Sequence, residues 1–261
     1  MEDRRAKEAK LLSVQGFMSL AELAQVVGVS ESTVRRDLET LEKEGFVRRT
    51  YGGAVFVKDT TPHKLAYADR ETTALAEKRA IARAVSEMIP ENQAIILNGG
   101  TTCYEVAEAI KGRRLNVVTN SVPIASLLSA YPDTEVTFVG GYVYPRTGVA
   151  LGAMTVQQLD SLHATQLVMS CAGATEEGTF NANQMMVDVE RRMMEEADEA
   201  ILAVDHTKFG MRSVVKLCDF GELDAVVTDA GAGAGTRRWL DALSARVVYA
   251  ELEPAEAPEP T

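Results

Sequence analysis

Apolar positions recur at helical spacing from Arg4 to Val14 and again from Leu20 to Val27, where Ser19 and Glu22 open the run as a capping box and Gly28 closes it. Ser30 is placed to cap the next helix, which carries Val34, Leu38 and Leu41 at i, i+4 and i+7, a stripe that faces a core. Gly45 ends that helix, and Phe46 to Phe56 read as two short strands around Gly52-Gly53, a pair suited to a hairpin turn. Two helices joined by a tight glycine-containing turn and followed by a hairpin predict a winged helix-turn-helix whose second helix is the reader.

Residues 58–73 are polar and lack a period, which marks a linker before a long helix near Ala74 to Met88. Seven apolar runs follow: Ala94 to Leu97, Leu115 to Thr119, Glu135 to Val139, Gln166 to Ser170, Ala200 to Val204, Ala225 to Thr228 and Arg246 to Tyr249. Helical stretches separate most of them. Short buried strands alternating with helices imply an open, largely parallel α/β sheet covered on both faces. Ala230 to Gly235 reads as a loop, and residues 251–261, with three prolines and four glutamates, as a disordered acidic tail. The expected organisation is therefore a winged helix-turn-helix domain at 1–57, a linker at 58–73, an α/β domain at 74–250, and the tail at 251–261.

Composition changes this picture little. With 46% hydrophobic and 25% charged residues the chain has the balance of a globular protein. No apolar run approaches the roughly 18 residues that span a bilayer, and the start has no signal-type core, so a cytoplasmic, non-membrane protein is expected. Cys103, Cys171 and Cys218 are widely separated and outside any C-x-x-C pair, which points away from disulfides and zinc and towards small buried side chains. Neither a metal nor a cofactor is expected.

Charge is more informative. The net value is −11, from 27 basic and 38 acidic residues, yet residues 1–57 hold nine of each, so the excess belongs to the remainder. Basic residues in the first part cluster with acids between them, as in a module that meets phosphate with selected faces. With Val34 inward, Ser32 and Arg36 point away from the core and Thr33 and Arg35 flank them. Arginine pairs bidentately with guanine, hydroxyls reach phosphate or base edges, and a helix N-terminus favours phosphate. Ser30, Ser32, Thr33, Arg35 and Arg36 are thus the groove-facing candidates, with Arg48, Arg49 and Tyr51 of the wing holding the DNA backbone. The bland alternative is a solvated Arg35-Arg36 face pairing with Asp37 or Glu39.

The run Ser30 to Gly45 (SESTVRRDLETLEKEG) followed by Val47 to Ala54 (VRRTYGGA) resembles the DNA-binding module of the DeoR family of bacterial transcriptional regulators. The second part carries its own signals. Leu97 to Cys103 (LNGGTTC) lies between a strand and a helix, where backbone amides and two hydroxyls converge on an anion such as phosphate. Thr119-Asn120-Ser121, Gly140-Gly141 and Asp205 to Gly210 end other strands. Ligands of open parallel sheets bind at strand carboxyl ends, so these segments are expected to face one pocket, with Lys208 as its cation. His206 is the histidine best placed for that pocket, in a non-catalytic role.

These segments also resemble the sensor domain of the same family, similar in fold to ribose-5-phosphate and glucosamine-6-phosphate isomerases, so the likeness covers about residues 4–230. The resemblance implies a phosphorylated sugar or polyol as effector. It places the phosphate on Asn98, Gly99, Gly100, Thr101 and Thr102, the sugar on Thr119, Asn120 and Ser121, and the anion on Lys208. Asn98 departs from the acidic residue usual in the family, which removes a negative charge near the ligand; Ser170 to Gly173 (SCAG) departs from the usual apolar-Gly form.

Three function classes follow. The first is a ligand-responsive repressor of a carbohydrate operon, acting on double-stranded operator DNA as a dimer or tetramer. The second is a sugar-phosphate isomerase with an accessory DNA module, which needs a positioned general base; Asp205 is the one evident carboxylate, so no catalytic residue is assigned. The third is a constitutive DNA-binding oligomer.

Overall fold

The computed structural model describes residues 4, 5, 7, 8, 11, 12, 17–43, 47–50, 52–56 and 67–252. The chain divides into two compact units, Met1–Lys64 and Leu65–Thr261.

In the first unit Arg4, Arg5, Lys7, Glu8, Leu11 and Leu12 are helical, and β1 (Phe17–Ser19) runs directly into α1 (Leu20–Val27). The Ser19 hydroxyl accepts from the Glu22 amide at 3.2 Å while the Glu22 carboxylate accepts from the Ser19 amide at 2.8 Å, so two backbone donors at the helix start are satisfied reciprocally. Gly28, left-handed at φ 76°, ends α1 and donates to the Ala24 carbonyl at 2.9 Å. Next comes α2 (Glu31–Lys43), whose Val34, Leu38 and Leu41 pack with Leu12, Leu23 and Val47 in a small core. The wing is β2 (Val47–Thr50) and β3 (Gly53–Phe56), antiparallel, with β1 as an unexpected third strand in the order β1-β3-β2. Gly53 makes that strand possible. A Cβ there would stand 2.2 Å from the Met18 carbonyl oxygen. Gly45 lies outside the described residues.

The second unit begins with α3 (Tyr67–Thr72) and α4 (Leu75–Met88), so the run expected as linker ends in a helix. Its cause is Lys78 of α4, whose buried ammonium donates to the Arg70 carbonyl at 2.5 Å and the Thr73 carbonyl at 2.6 Å and ties residues 70–73 back to α4. From there the chain forms β4 (Ala94–Leu97), α5 (Thr101–Ile110), β5 (Leu115–Thr119), α6 (Val122–Leu128), β6 (Thr134–Phe138), β7 (Tyr142–Tyr144), β8 (Val149–Leu151) and α7 (Ala153–Leu159). Then follow β9 (Ala164–Met169), β10 (Gly173–Thr175), β11 (Gly178–Asn181), α8 (Gln184–Glu195), β12 (Ala197–Ala203), β13 (Val215–Cys218), β14 (Ala225–Asp229), α9 (Ala234–Leu240) and β15 (Arg246–Ala250).

All seven apolar runs become strands of one sheet, in the order β15-β14-β12-β9-β4-β5-β6, and every neighbouring pair is parallel. Successive side chains alternate between faces: Ile95 and Leu97 enter one core and Ile96 the other. Ile81, Val106 and Ile124 from α4, α5 and α6 cover the first face, and Leu159, Met193 and Leu240 from α7, α8 and α9 the second. Two small antiparallel groups, β7-β8 and β10-β11-β13, stand outside the main sheet. On α8, Met193 is fully buried and Met185 is exposed. All three cysteines are free and buried.

The strand order fixes where a ligand can bind. From β4 the chain moves outward through β5 to β6, then returns to the other side of β4 as β9 and continues to β15. Between β4 and β9 the connections leave in opposite directions, which opens a crevice at the carboxyl ends of the strands.

Candidate functional site

In the first unit the α2 N-terminus gathers three hydroxyls. Ser30 Oγ accepts from the Thr33 amide at 3.3 Å and lies 2.9 Å from both Ser32 Oγ and Thr33 Oγ1. Ser30, Ser32, Arg35 and Arg36 are exposed, Thr33 is half-buried and Val34 is fully buried, as the helical geometry requires. Asp37 does not serve the neighbouring arginines. It is buried and pairs with Arg4 at 2.7 Å. A full-length apolar stripe thus holds α2 by one side while its arginine pair faces solvent. Arg48 and Arg49 are on β2, opposite Val55 and Ala54; their side chains, and Tyr51 altogether, lie outside the described residues.

Beneath α2, Glu8 is wholly buried. Burial, and then the charge of Asp37, push its carboxyl up to about 7 against the opposing pull of Arg4 and Arg5.

In the second unit the crevice is built from strand ends. Asn98 follows β4, and Gly99-Gly100 lead into α5, whose first turn has no side-chain cap and no acidic residue. Gly100 is left-handed at φ 118°. A Cβ on Gly99 would stand 2.1 Å from Val149 Cγ1 and 3.5 Å from Ser121 Cβ, so the glycine turn, β8 and the end of β5 converge here. Thr101, Thr102, Thr119, Asn120 and Ser121 are all buried. Asn120 donates through Nδ2 to the Ala150 carbonyl at 2.9 Å and leaves Oδ1 without a partner among the described residues.

Asp205 follows β12 and is buried; its Oδ1 accepts from both the amide, at 3.0 Å, and the hydroxyl of Thr207. Two lysines feel its charge. Burial lowers the Lys208 ammonium below its usual value while Asp205 opposes the shift. Burial likewise brings Lys78 down to about 8, again opposed by Asp205, and Lys208 adds to the lowering. His206 turns to the end of β14, with Nδ1 2.8 Å from Asp229 Oδ2 and its backbone amide donating to Asp229 Oδ1 at 2.7 Å. Gly140 is engaged elsewhere: its carbonyl accepts from Thr155 and Gln158 of α7 and its amide donates to Gln158.

Sequence reasoning missed three residues. Lys78 reaches the cationic group from α4, while Glu190 of α8 reaches Asn98 and is held in turn by Asn181 of β11. Asn98 Nδ2 donates to Glu190 Oε1 at 3.1 Å, and Asn181 Nδ2 donates to Glu190 Oε2 at 2.5 Å. The carboxyl group that Asn98 lacks therefore stands one amide further back. A signal existed for both charged residues. Lys78 precedes Ile81, Ala82 and Val85 at i+3, i+4 and i+7, and Glu190 lies between Met186 and Met193 on one helical stripe, so each interrupts an apolar face.

Residues 73–230 match the DeoR C terminal sensor domain and residues 4–60 the DeoR-like helix-turn-helix domain. The glycerol-3-phosphate regulon repressor of Escherichia coli K12 is 31% identical over 85% of this chain and 88% of its own. Transcriptional repressor AccR of Agrobacterium fabrum is 31% identical over 88% of this chain and 90% of its own. A ribose 5 phosphate isomerase A from Neisseria gonorrhoeae aligns with 51% of this chain and 52% of its own at 16% identity and a TM-score of 0.37. No helix among the described residues is long and apolar enough to cross a membrane. A winged helix-turn-helix with its arginine pair outward, a parallel α/β unit with a polar crevice, and family matches over both place this chain in the DeoR family of DNA-binding transcriptional regulators.

Proposed function

We propose that the chain represses genes of carbohydrate use and that a phosphorylated sugar or polyol, bound in the second unit, changes its affinity for operator DNA. The observation that carries this reading is the β4/β9 crevice, where the uncapped start of α5 lies at the same end of the sheet as the buried Lys78 and the half-buried Lys208. Free amides at a helix start favour an anion, and ammonium groups whose charge is disfavoured by burial gain most from a counter-charge. The unpartnered Asn120 Oδ1 suits a ligand hydroxyl. In this reading Gly100, Thr101 and Thr102 take the phosphate, Lys208 balances it, and Thr119, Asn120 and Ser121 take the sugar. The α2 hydroxyls and Arg35-Arg36 read base edges, and Arg48 and Arg49 hold the backbone.

We read the unit as a sensor without turnover: of the two carboxylates named at the crevice, Asp205 is held through Oδ1 by Thr207 and Glu190 by two asparagine amides. A dimer or tetramer supplies the paired readers that a two-fold operator needs. The test is thermal unfolding of the pure protein with a panel of sugar and polyol phosphates and their unphosphorylated parents. One phosphorylated compound should raise the melting temperature, equivalent to about 2.7 kcal/mol at a hundredfold excess over its dissociation constant, with no effect of its parent. Equal effects of ester and parent would contradict the phosphate site, and turnover of any compound would favour an enzyme.

A further inference from the structure

The buried chain from Gly99 to Ala172 spans the crevice. The Gly99 amide donates to Asn98 Oδ1 at 2.6 Å, both asparagines donate to Glu190, and the Ala172 amide donates to Asn181 Oδ1 at 2.9 Å. It thus links the loop after β4 to the loop after β9, the two rims of the switch point. A carboxylate only accepts hydrogen bonds, so both amides must present Nδ2 to Glu190 and Oδ1 to the backbone. Asn98 keeps one N–H, and the Glu190 carboxyl group lies directly behind the loop.

The geometry points to Glu190 as a positioning residue of the anion site, orienting Asn98 and opposing the ligand's charge, so that anion binding draws a proton from solvent onto Glu190. This rests on the crevice being the effector site.

On the elements packed against α8, the other titratable groups are neutral or already paired. The thiols facing Glu190 are Cys103 of α5, Cys171 after β9 and Cys218 of β13, each pushed up by burial and neutral. Strands β8, β9 and β11 and helix α7 carry no titratable side chain. On β13, Lys216 pairs with Asp219; on β12, Glu199 accepts from Gln166 and Asp198 pairs with His163. On its own helix Arg191 pairs with Glu222, Arg192 with Asp160, Glu195 and Glu196, and Asp188 accepts from Gln184. Burial pushes the Glu190 carboxyl up to about 7, against the two asparagine hydrogen bonds. A group whose proton affinity rises further on binding makes that binding tighter below its free value and weaker above it.

Sulfate is the probe, because its own charge is constant over this range. Its affinity for the full chain, measured calorimetrically, should fall about fivefold from about pH 6 to about pH 8. Part of any fall belongs to Lys78 and Lys208, so Glu190→Gln is the decisive comparison: the neutral isostere should flatten the profile and match the wild type at low pH. Titrations in buffers of different ionisation enthalpy should report more proton uptake near neutrality by the wild type than by Glu190→Gln, whose remaining uptake belongs to Lys78 and Lys208. Sulfate binding with the same pH profile, or the same proton uptake, in wild type and variant would overturn the role of Glu190 alone. No sulfate binding at either pH would overturn the site, and this inference with it.

Discussion

Arg36 and Arg49 are both arginines next to another arginine, yet they occupy different elements and are expected to fail differently. Arg36 is exposed on α2 and Arg49 is on β2; in the proposed reading the first pairs bidentately with guanine and discriminates between bases, and the second meets phosphate. Arg36→Ala should cost about 1 to 3 kcal/mol and relax base preference, whereas Arg49→Ala should weaken operator and random DNA alike. Anisotropy titrations on both DNAs at fixed salt separate the two. An equal loss on both DNAs from each variant would sink the division. At this scale the sequence was legible where a residue obeys its helix, as Val34 and Ser30 do. It was opaque where function depends on a partner far along the chain. Asn98 and Glu190 are 92 residues apart, and no local pattern announces that an amide will meet a carboxylate.

Among the elements, Gly99 shows what the crevice demands. An added Cβ would overlap Val149 of β8, a buried strand with no flexible end to yield. Gly99→Ala should therefore part β8 from the glycine turn, lower the melting temperature of the second unit and weaken effector binding, while DNA affinity without effector is retained. Calorimetry and anisotropy on the same preparation check this, and unchanged effector affinity would show that the β8 contact does not shape the site. The large elements were readable because each has a cause within a few residues: the Ser19–Glu22 box, the Gly28 stop, the apolar runs of the main sheet. The short strands were not. β1, β7 and β10 have three residues each, too few for alternation to register, and their pairing depends on neighbours such as Gly53 that only the folded chain brings close. Helix α3 was hidden in the same way, its tether being the ammonium of Lys78.

At the level of the whole molecule, two functions must share one free energy. An effector acts on transcription only through a difference in its affinity for DNA-competent and incompetent forms, typically about 1 to 3 kcal/mol, and linkage makes the effect reciprocal. In an oligomer that difference is naturally expressed through the separation of two reader helices relative to half-sites about 34 Å apart. The acidic excess lies in residues 58–261, away from the balanced DNA module, so net charge conceals a DNA-binding protein. Phosphate contacts make the affinity depend on salt, which must be held constant in any comparison.

The most direct test of this account is the anisotropy of labelled DNA from upstream of the chain's own gene, titrated with protein at fixed salt, with and without each sugar or polyol phosphate. One phosphorylated compound should shift the curve by about 5- to 150-fold in affinity while its unphosphorylated parent leaves it in place. A compound that binds the protein, by its effect on melting, yet leaves the DNA curve unmoved would contradict the coupling on which the account depends.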